Sequence, residues 1–227
     1  MSFPDLAPRV AEVRERIAAA AAHGGHGQRV LVIPVTKTHG PAAVHAAWEA
    51  GLRDVGENRV QEALQKMEQV SVPVRWHLIG HLQRNKTKAA PRFALIQSLD
   101  SFRLADALHA VGRDAGRTLD VLVQVNASRE DTKSGYHLEE LPAEAERLTT
   151  LAGIRVTGVM TIAPFEADER VLRRVFGDAR EARAVLANAG HPASELSMGM
   201  SDDFEVAVEE GATMVRLGTI LFGARAA

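Results

Sequence analysis

Cysteine is absent from the 227 residues, which removes disulfides, thiolate metal sites and cysteine nucleophiles from consideration. The same absence suits a reducing cytosol. An excess of charge of either sign is also lacking. The 27 basic side chains stand against 29 acidic ones, a formal net charge of −2, so nothing electrostatic points to DNA or RNA as a partner. No apolar run approaches the ~18 residues of a membrane span. The first residues, MSFPDLAPRV, lack the basic start and apolar core of a signal peptide. The expectation is a soluble cytoplasmic protein. Internal repeats, low-complexity tracts and composition shifts are missing too, so residues 1–227 are read as one domain. Tyrosine occurs once, as Tyr136.

What the chain does have is enough apolar residue to bury one large core, and one stretch that organises the rest. Val30 to Val35 is a branched apolar run of the kind buried on both faces of a parallel sheet. Pro34 inside it cannot donate to a ladder, which suits a strand end. Lys37 follows, between Thr36 and Thr38, and then Gly40 and Pro41 break the chain before a helix carrying Ala43, Val44, Ala47 and Trp48. A lysine at the mouth of a buried strand, before a crossover helix, is where an α/β protein places a functional amine. Taken alone it would be read as a solvated loop lysine.

The same unit recurs. A first helix over Leu6 to Ala22 is followed by a glycine-rich connector, His23 to Gly27. Beyond the Lys37 strand, further strands are expected at Leu52 to Asn58, Val74 to Ile79, Ala94 to Leu99, Leu119 to Val125, Ile154 to Ile162, Glu195 to Met198 and Thr213 to Leu217. Helices are expected between them: one marked by Val60, Ala63, Leu64 and Met67, a basic one over Leu82 to Ala90, and one capped by Asp100 or Ser101 and running through Val111. Others follow over Leu138 to Leu151, Glu166 to Ala189 and Asp203 to Glu210. Eight strands alternating with helices, in slightly less than the roughly 250 residues typical of the fold, predict a (β/α)8 TIM-type barrel with an additional N-terminal helix. That helix is expected to cover the barrel where no long helix follows strand eight. An open doubly wound sheet is the alternative.

In such a barrel the carboxyl ends of the strands share one face. They would gather Lys37, Glu57, Asn58, His77, Gln97, Ser98, Asn126, Met160 and Thr161 with the segments Ser197 to Ser201 and Arg216 to Thr219. The last two segments follow strands seven and eight, the usual phosphate cradle of these barrels. A phosphate cradle facing a strand-end lysine points to a phosphorylated carbonyl compound held as an imine. That leaves a Schiff-base aldolase acting on a sugar phosphate, or pyridoxal 5′-phosphate (PLP) with Arg216 against the ring nitrogen. His77 and His81 flank a strand-to-loop segment and do not make a metal site. Arg84, Lys86 and Lys88 read as a solvated helix face, and Asp202 and Asp203 as helix-start residues.

Six pieces resemble the pyridoxal phosphate homeostasis proteins, relatives of the alanine racemase barrel. They are VTKTH around Lys37, GENRVQEA from Gly56, WHLIGHLQRNK from Trp76, KSGY from Lys133, LSMGMSDDFEVAV from Leu196 and VRLGTILFGAR from Val215. They lie in order over nearly the whole barrel. Two departures are His39-Gly40-Pro41, where a basic residue commonly precedes the proline, and His81, often small or proline in the family. The resemblance implies that Lys37 carries PLP as an aldimine and that Ser201, Gly218 and Thr219 hold its phosphate. It further implies that Arg216 faces the pyridine nitrogen and that Asn58 and His77 line the pocket near the ring. The implied function is intracellular PLP, or vitamin B6, homeostasis as a carrier or reservoir, with apo forms of PLP-dependent enzymes as recipients; a monomer is the natural expectation. The alternative is a PLP-dependent amino-acid racemase or decarboxylase. The related enzymes carry a further β-domain that supplies pocket residues, whereas this sequence stops a few residues after strand eight.

Overall fold

The computed structural model describes residues 3–128 and 134–223; Lys133, Ala224 and Arg225 of the matching pieces lie outside them. Eight strands run β1 (Leu31–Pro34), β2 (Asp54–Glu57), β3 (Arg75–Leu78), β4 (Leu95–Leu99), β5 (Leu119–Gln124), β6 (Ile154–Met160), β7 (Glu195–Ser197) and β8 (Met214–Leu217). The α-helices are α1 (Leu6–Gly24), α2 (Pro41–Glu49), α3 (Val60–Gln69), α4 (Phe102–Asp114), α5 (Leu141–Leu148), α6 (Glu169–Asn188), α7 (Phe204–Glu209) and α8 (Thr219–Phe222). The strands form one sheet in the order β1-β8-β7-β6-β5-β4-β3-β2, with every pair parallel. Its two ends are strands consecutive in the chain. They meet in a bridge from Val35 to Gly56 and a hydrogen bond from Thr36 N–H to the Gly56 carbonyl at 3.0 Å. The sheet therefore curls into a nearly closed barrel, which excludes the open doubly wound arrangement.

Pro34 lies within β1, and the seam explains why it is tolerated. The N–H groups of Leu31 and Val35 point to β8, bonding Thr213 and Leu217 carbonyls, whereas that of Thr36 points to β2. By strand alternation the missing N–H of Pro34 falls on the β2 side, where the ladder has only begun. Two packed zones result. Ile33, Leu95, Leu122, Met160 and Met214 fill the barrel interior, and a larger cluster lies between the sheet and the helices.

The N-terminal helix does cover the end of the winding. It buries Leu6, Val10, Val13, Ile17 and Ala20, its Arg16 makes a two-pronged ion pair with Glu205 of α7 at 3.0 and 2.7 Å, and Arg9 bonds the Leu221 carbonyl of the short α8. Two expectations change in detail. The basic helix after β3 is a 3₁₀ helix over Arg84–Arg92 containing Pro91, a residue that cannot donate in the i→i−4 pattern of an α-helix. Ser101 is the residue that caps α4, but without a side-chain bond to the helix; its hydroxyl turns to Asp100 at 3.2 Å.

Candidate functional site

Lys37 follows β1 in a turn whose two flanks are held from below. On one side Thr36 is fully buried, and its hydroxyl donates to Glu57 Oε1. On the other side Thr38 has φ 67°, a left-handed conformation that costs a β-branched residue energy. Its N–H donates to Glu62 Oε1 at 2.7 Å. Lys66 joins the two flanks, its ammonium donating to the Thr36 carbonyl at 2.6 Å, Glu57 Oε1 at 2.7 Å and Glu62 Oε1 at 2.9 Å. Burial pushes the Glu57 carboxyl up, further than Lys66 and Thr36 bring it down. Burial also works to raise Glu62, but there Lys66 and the Thr38 N–H prevail and the carboxyl falls below its ordinary range. Glu62 and Lys66 were not among the expected site residues. Their signal was present, since Lys66 falls on the same face of α3 as buried Val60 and Ala63.

The β7 and β8 ends form a concave pair of loops beside this turn. Pro34 pairs in register with Leu217, so Lys37 and Thr219 stand three and two residues beyond the same rung. Gly199 has φ 92°, and a Cβ on it would approach the Ala207 Cβ to 2.7 Å, so the loop after β7 requires glycine there. The Gly199 carbonyl accepts the Arg216 N–H at 3.0 Å, and Ser201 Oγ accepts the Ile220 N–H at 3.3 Å, tying the two loops together. The N–H groups of Gly218 and Thr219 find no acceptor among the described residues. A Cβ on Gly218 would meet only Val35, at an ordinary 3.8 Å. The chain itself therefore does not demand glycine at 218, and its concave side stays open.

Arg216 lies under this cradle, 4% exposed. It donates to Ser197 Oγ at 2.7 Å and to the Thr161 carbonyl at 2.8 Å, both neutral acceptors. Burial pushes its guanidinium down to about 10, with Asp203 offsetting part of the effect. Asn58 lines a cleft of about 270 Å³ together with Ile79, Gly80, His81, Asn126 and Ile162, and its buried Oδ1 has no hydrogen-bond partner among the described residues. His81 Nδ1 meets Asp100 Oδ2 at 2.7 Å. The His39 ring packs against Phe3 and Phe222, with centroids 5.6 and 5.1 Å away.

The strand ends thus bring together Lys37, Ser201, Arg216, Gly218 and Thr219 on neighbouring β1, β7 and β8, with Asn58 next to β1 across the seam. His77 lies deeper. It is buried, and its ring nitrogens meet Asp54 and Gln97 inside the barrel. Asp54 is the first residue of β2, so His77 turns towards the opposite mouth.

The model of the alanine racemase N-terminal domain family matches residues 9–226. A pyridoxal phosphate homeostasis protein of Pseudomonas aeruginosa is 42% identical over 224 residues, covering 97% of this chain and 96% of that one. Its counterpart in Aquifex aeolicus is 41% identical over 221 residues, covering 96% and 97%. Among solved structures, PipY of Synechococcus elongatus superposes with TM-score 0.87 at 37% identity without PLP. With PLP bound it does so with TM-score 0.85 at 36% identity. Each covers 96% of this chain and 100% of PipY. On these matches along nearly its full length, the chain belongs to the pyridoxal phosphate homeostasis proteins, within the alanine racemase N-terminal domain family.

Proposed function

We propose that this protein binds PLP, with Lys37 as the covalent attachment point, and serves PLP homeostasis as a carrier or reservoir. The observation that carries the reading is the shared rung of β1 and β8, which sets Lys37 beside a cradle of unused N–H donors. The residues fit the group. Among the described residues the buried Arg216 has only neutral acceptors in hydrogen-bond contact, and Asn58 Oδ1 has no donor. When bound, PLP supplies an aldehyde that condenses with a primary amine and a phosphate that takes several donors. Lys37 would provide the amine, and Ser201, Gly218 and Thr219 the donors. Arg216 would meet the ring nitrogen, and Asn58 would lie at the ring's side. His77, from its buried place, would act only through its neighbours. The carrier works, on this reading, as a cytoplasmic monomer that passes PLP to apo-enzymes. The lack of cysteine agrees with that compartment.

The test is a visible spectrum of the purified protein with PLP, before and after borohydride, followed by peptide mass mapping. The reduced cofactor is expected on Lys37. A label found wholly on Lys86 or another lysine overturns the assignment. Lys37→Ala is expected to lose the label yet remain folded, because a substitution in a strand-end turn removes little buried area.

The cradle makes a separate prediction. Ser201→Ala combined with Thr219→Val should weaken PLP far more than unphosphorylated pyridoxal, since only PLP uses those donors. Hydrogen bonds to a charged group contribute roughly 1.5–3 kcal/mol each, so a titration should resolve the pair plainly. Equal losses for both ligands would place the phosphate elsewhere.

A further inference from the structure

A polar thread crosses the barrel interior between the apolar side chains that otherwise fill it. Arg216, Ser197, Gln97, His77 and Asp54 are each buried, and they touch in that order. Arg216 Nη1 donates to Ser197 Oγ at 2.7 Å, and Ser197 Oγ donates to Gln97 Oε1 at 2.6 Å. Gln97 Nε2 meets His77 Nδ1 at 3.0 Å, and His77 Nε2 meets Asp54 Oδ1 at 2.8 Å. Arg75 closes the far end, its Nε and Nη2 lying 2.8 and 2.7 Å from the Asp54 carboxylate. The thread therefore runs from the next-to-last residue of β8 to the first residues of β2 and β3.

Its direction is fixed at both ends. A guanidinium only donates and an ionised carboxylate only accepts. His77 must then carry its proton on Nε2, towards Asp54, and accept at Nδ1. Gln97 must present its NH₂ to His77 and its carbonyl oxygen to Ser197, whose hydroxyl in turn accepts from Arg216. Every bond points the same way, and every buried group in the thread has its partner. Reversing Gln97 would aim two donors at Ser197 Oγ and leave the serine proton without its acceptor. The Asp54 carboxyl is held below its ordinary range by His77 and Arg75 against the opposing effect of burial, which keeps the accepting end charged.

We propose that Gln97 and His77 are positioning residues for Arg216. Through this one-way thread they fix the guanidinium that would meet the ligand's ring nitrogen, without themselves reaching the ligand on this reading. The proposal builds on the reading of PLP as the ligand, and the experiment separates the two. Gln97→Met removes both polar groups of the glutamine while keeping a side chain of similar length. Leu122→Met changes the same interior without touching the thread and serves as the packing control. In the ligand-free protein, nitrogen NMR of the Arg216 guanidinium and the His77 ring reads the thread directly. In the PLP-loaded protein, the visible absorption band and a titration read its effect on the ligand.

Gln97→Met is expected to shift or broaden the Arg216 signals, to move the absorption band and to weaken PLP about tenfold, the scale of one hydrogen bond. Leu122→Met should do none of these. His77→Leu should behave like Gln97→Met, and it provides the same reading if Gln97→Met does not fold. His77→Gln, which can accept at oxygen and donate at nitrogen, should recover much of the effect. A folded Gln97→Met or His77→Leu protein with unchanged Arg216 signals overturns the proposal. Changed Arg216 signals with an unmoved band in a PLP-loaded protein overturn its reach to the ligand. Changed Arg216 signals in the variants of a protein that takes up no PLP even as wild type uphold the positioning and refute the PLP reading instead.

Discussion

Replacing Lys66 with methionine is expected to cost about 3–5 kcal/mol of folding stability, the usual result of removing one partner of a buried ion pair. The lysine is 5% exposed and the Glu57 it meets is completely buried. All three donors of its ammonium are used, on Thr36, Glu57 and Glu62. Methionine would fill the volume and leave Glu57 in a low-dielectric site with, among the described residues, one hydroxyl as its only remaining donor in hydrogen-bond contact, since its Oε2 has no partner there. The loss should depend on pH in a definite sense. The folded-state pKa of Glu57 is already raised by burial, and removing Lys66 takes away its main opposing influence. A carboxyl with a raised folded-state pKa favours folding below its unfolded pKa, and that contribution is lost as pH rises through the folded value. Urea denaturation should therefore show a larger deficit at pH 8 than at pH 5. Adding Glu57→Gln to the variant should return part of the stability at pH 8. A deficit independent of pH and untouched by the second substitution would mean that Lys66 acts through packing alone. The variant should also lose its grip on the Lys37 turn, because Glu62 holds the left-handed Thr38 while bonded to the same ammonium.

The parts of the molecule that were legible in the sequence are those in which composition and element agree. Branched runs such as LDVLVQV announced buried parallel strands, and alternation with amphipathic helices announced the barrel. Pro34 is visible in the sequence as a break in its strand's donors, but which neighbour its nitrogen faces is a property of sheet closure. The strand-end lysine and the two loops after β7 and β8 could be placed because in this architecture strand order alone puts them on one face. His77 was placed on that face too, yet its ring turns into the barrel. Position along a strand does not tell which layer of the interior a side chain enters. The deeper polar groups left a fainter trace. Gln97 and Ser98 interrupt a strand buried at every residue, and Asp54 opens another. Polar residues in such strands must find partners, but those of Gln97 and Asp54 lie on other strands, at separations of up to 100 residues in the case of Ser197 and Gln97, and that of Ser98 is the Gly80 carbonyl beyond β3. Only the closed barrel brings them together.

No robust racemisation or decarboxylation of amino acids is expected from the purified, PLP-loaded protein. The argument starts at Arg216, which can only donate hydrogen bonds. A PLP ring nitrogen held against it would have to accept, would stay unprotonated and would leave the ring a weaker electron sink. Catalysis would then lean on well-placed bases, and racemisation needs one on each face of the substrate. Lys37 would be the first. The described residues offer poor choices for a second. Tyr136, the sequence's single tyrosine, is 6% exposed and its hydroxyl donates to Glu144 at 3.2 Å. Burial first, and then the Glu144 charge, push its pKa above the ordinary phenol range, and its hydroxyl proton is already committed to Glu144. Both nitrogens of His77 are engaged in the barrel interior. His81 stands at the rim with most of its side chain in water and one nitrogen on Asp100. General acid–base groups contribute roughly 10²–10⁴-fold each, so a site with one base should fall short by about that factor. The check is to incubate the loaded protein with a panel of L-amino acids and follow chirality and carbon dioxide release. Robust turnover that vanishes in Lys37→Ala would overturn the carrier reading, and its further loss in His81→Ala would identify the second base.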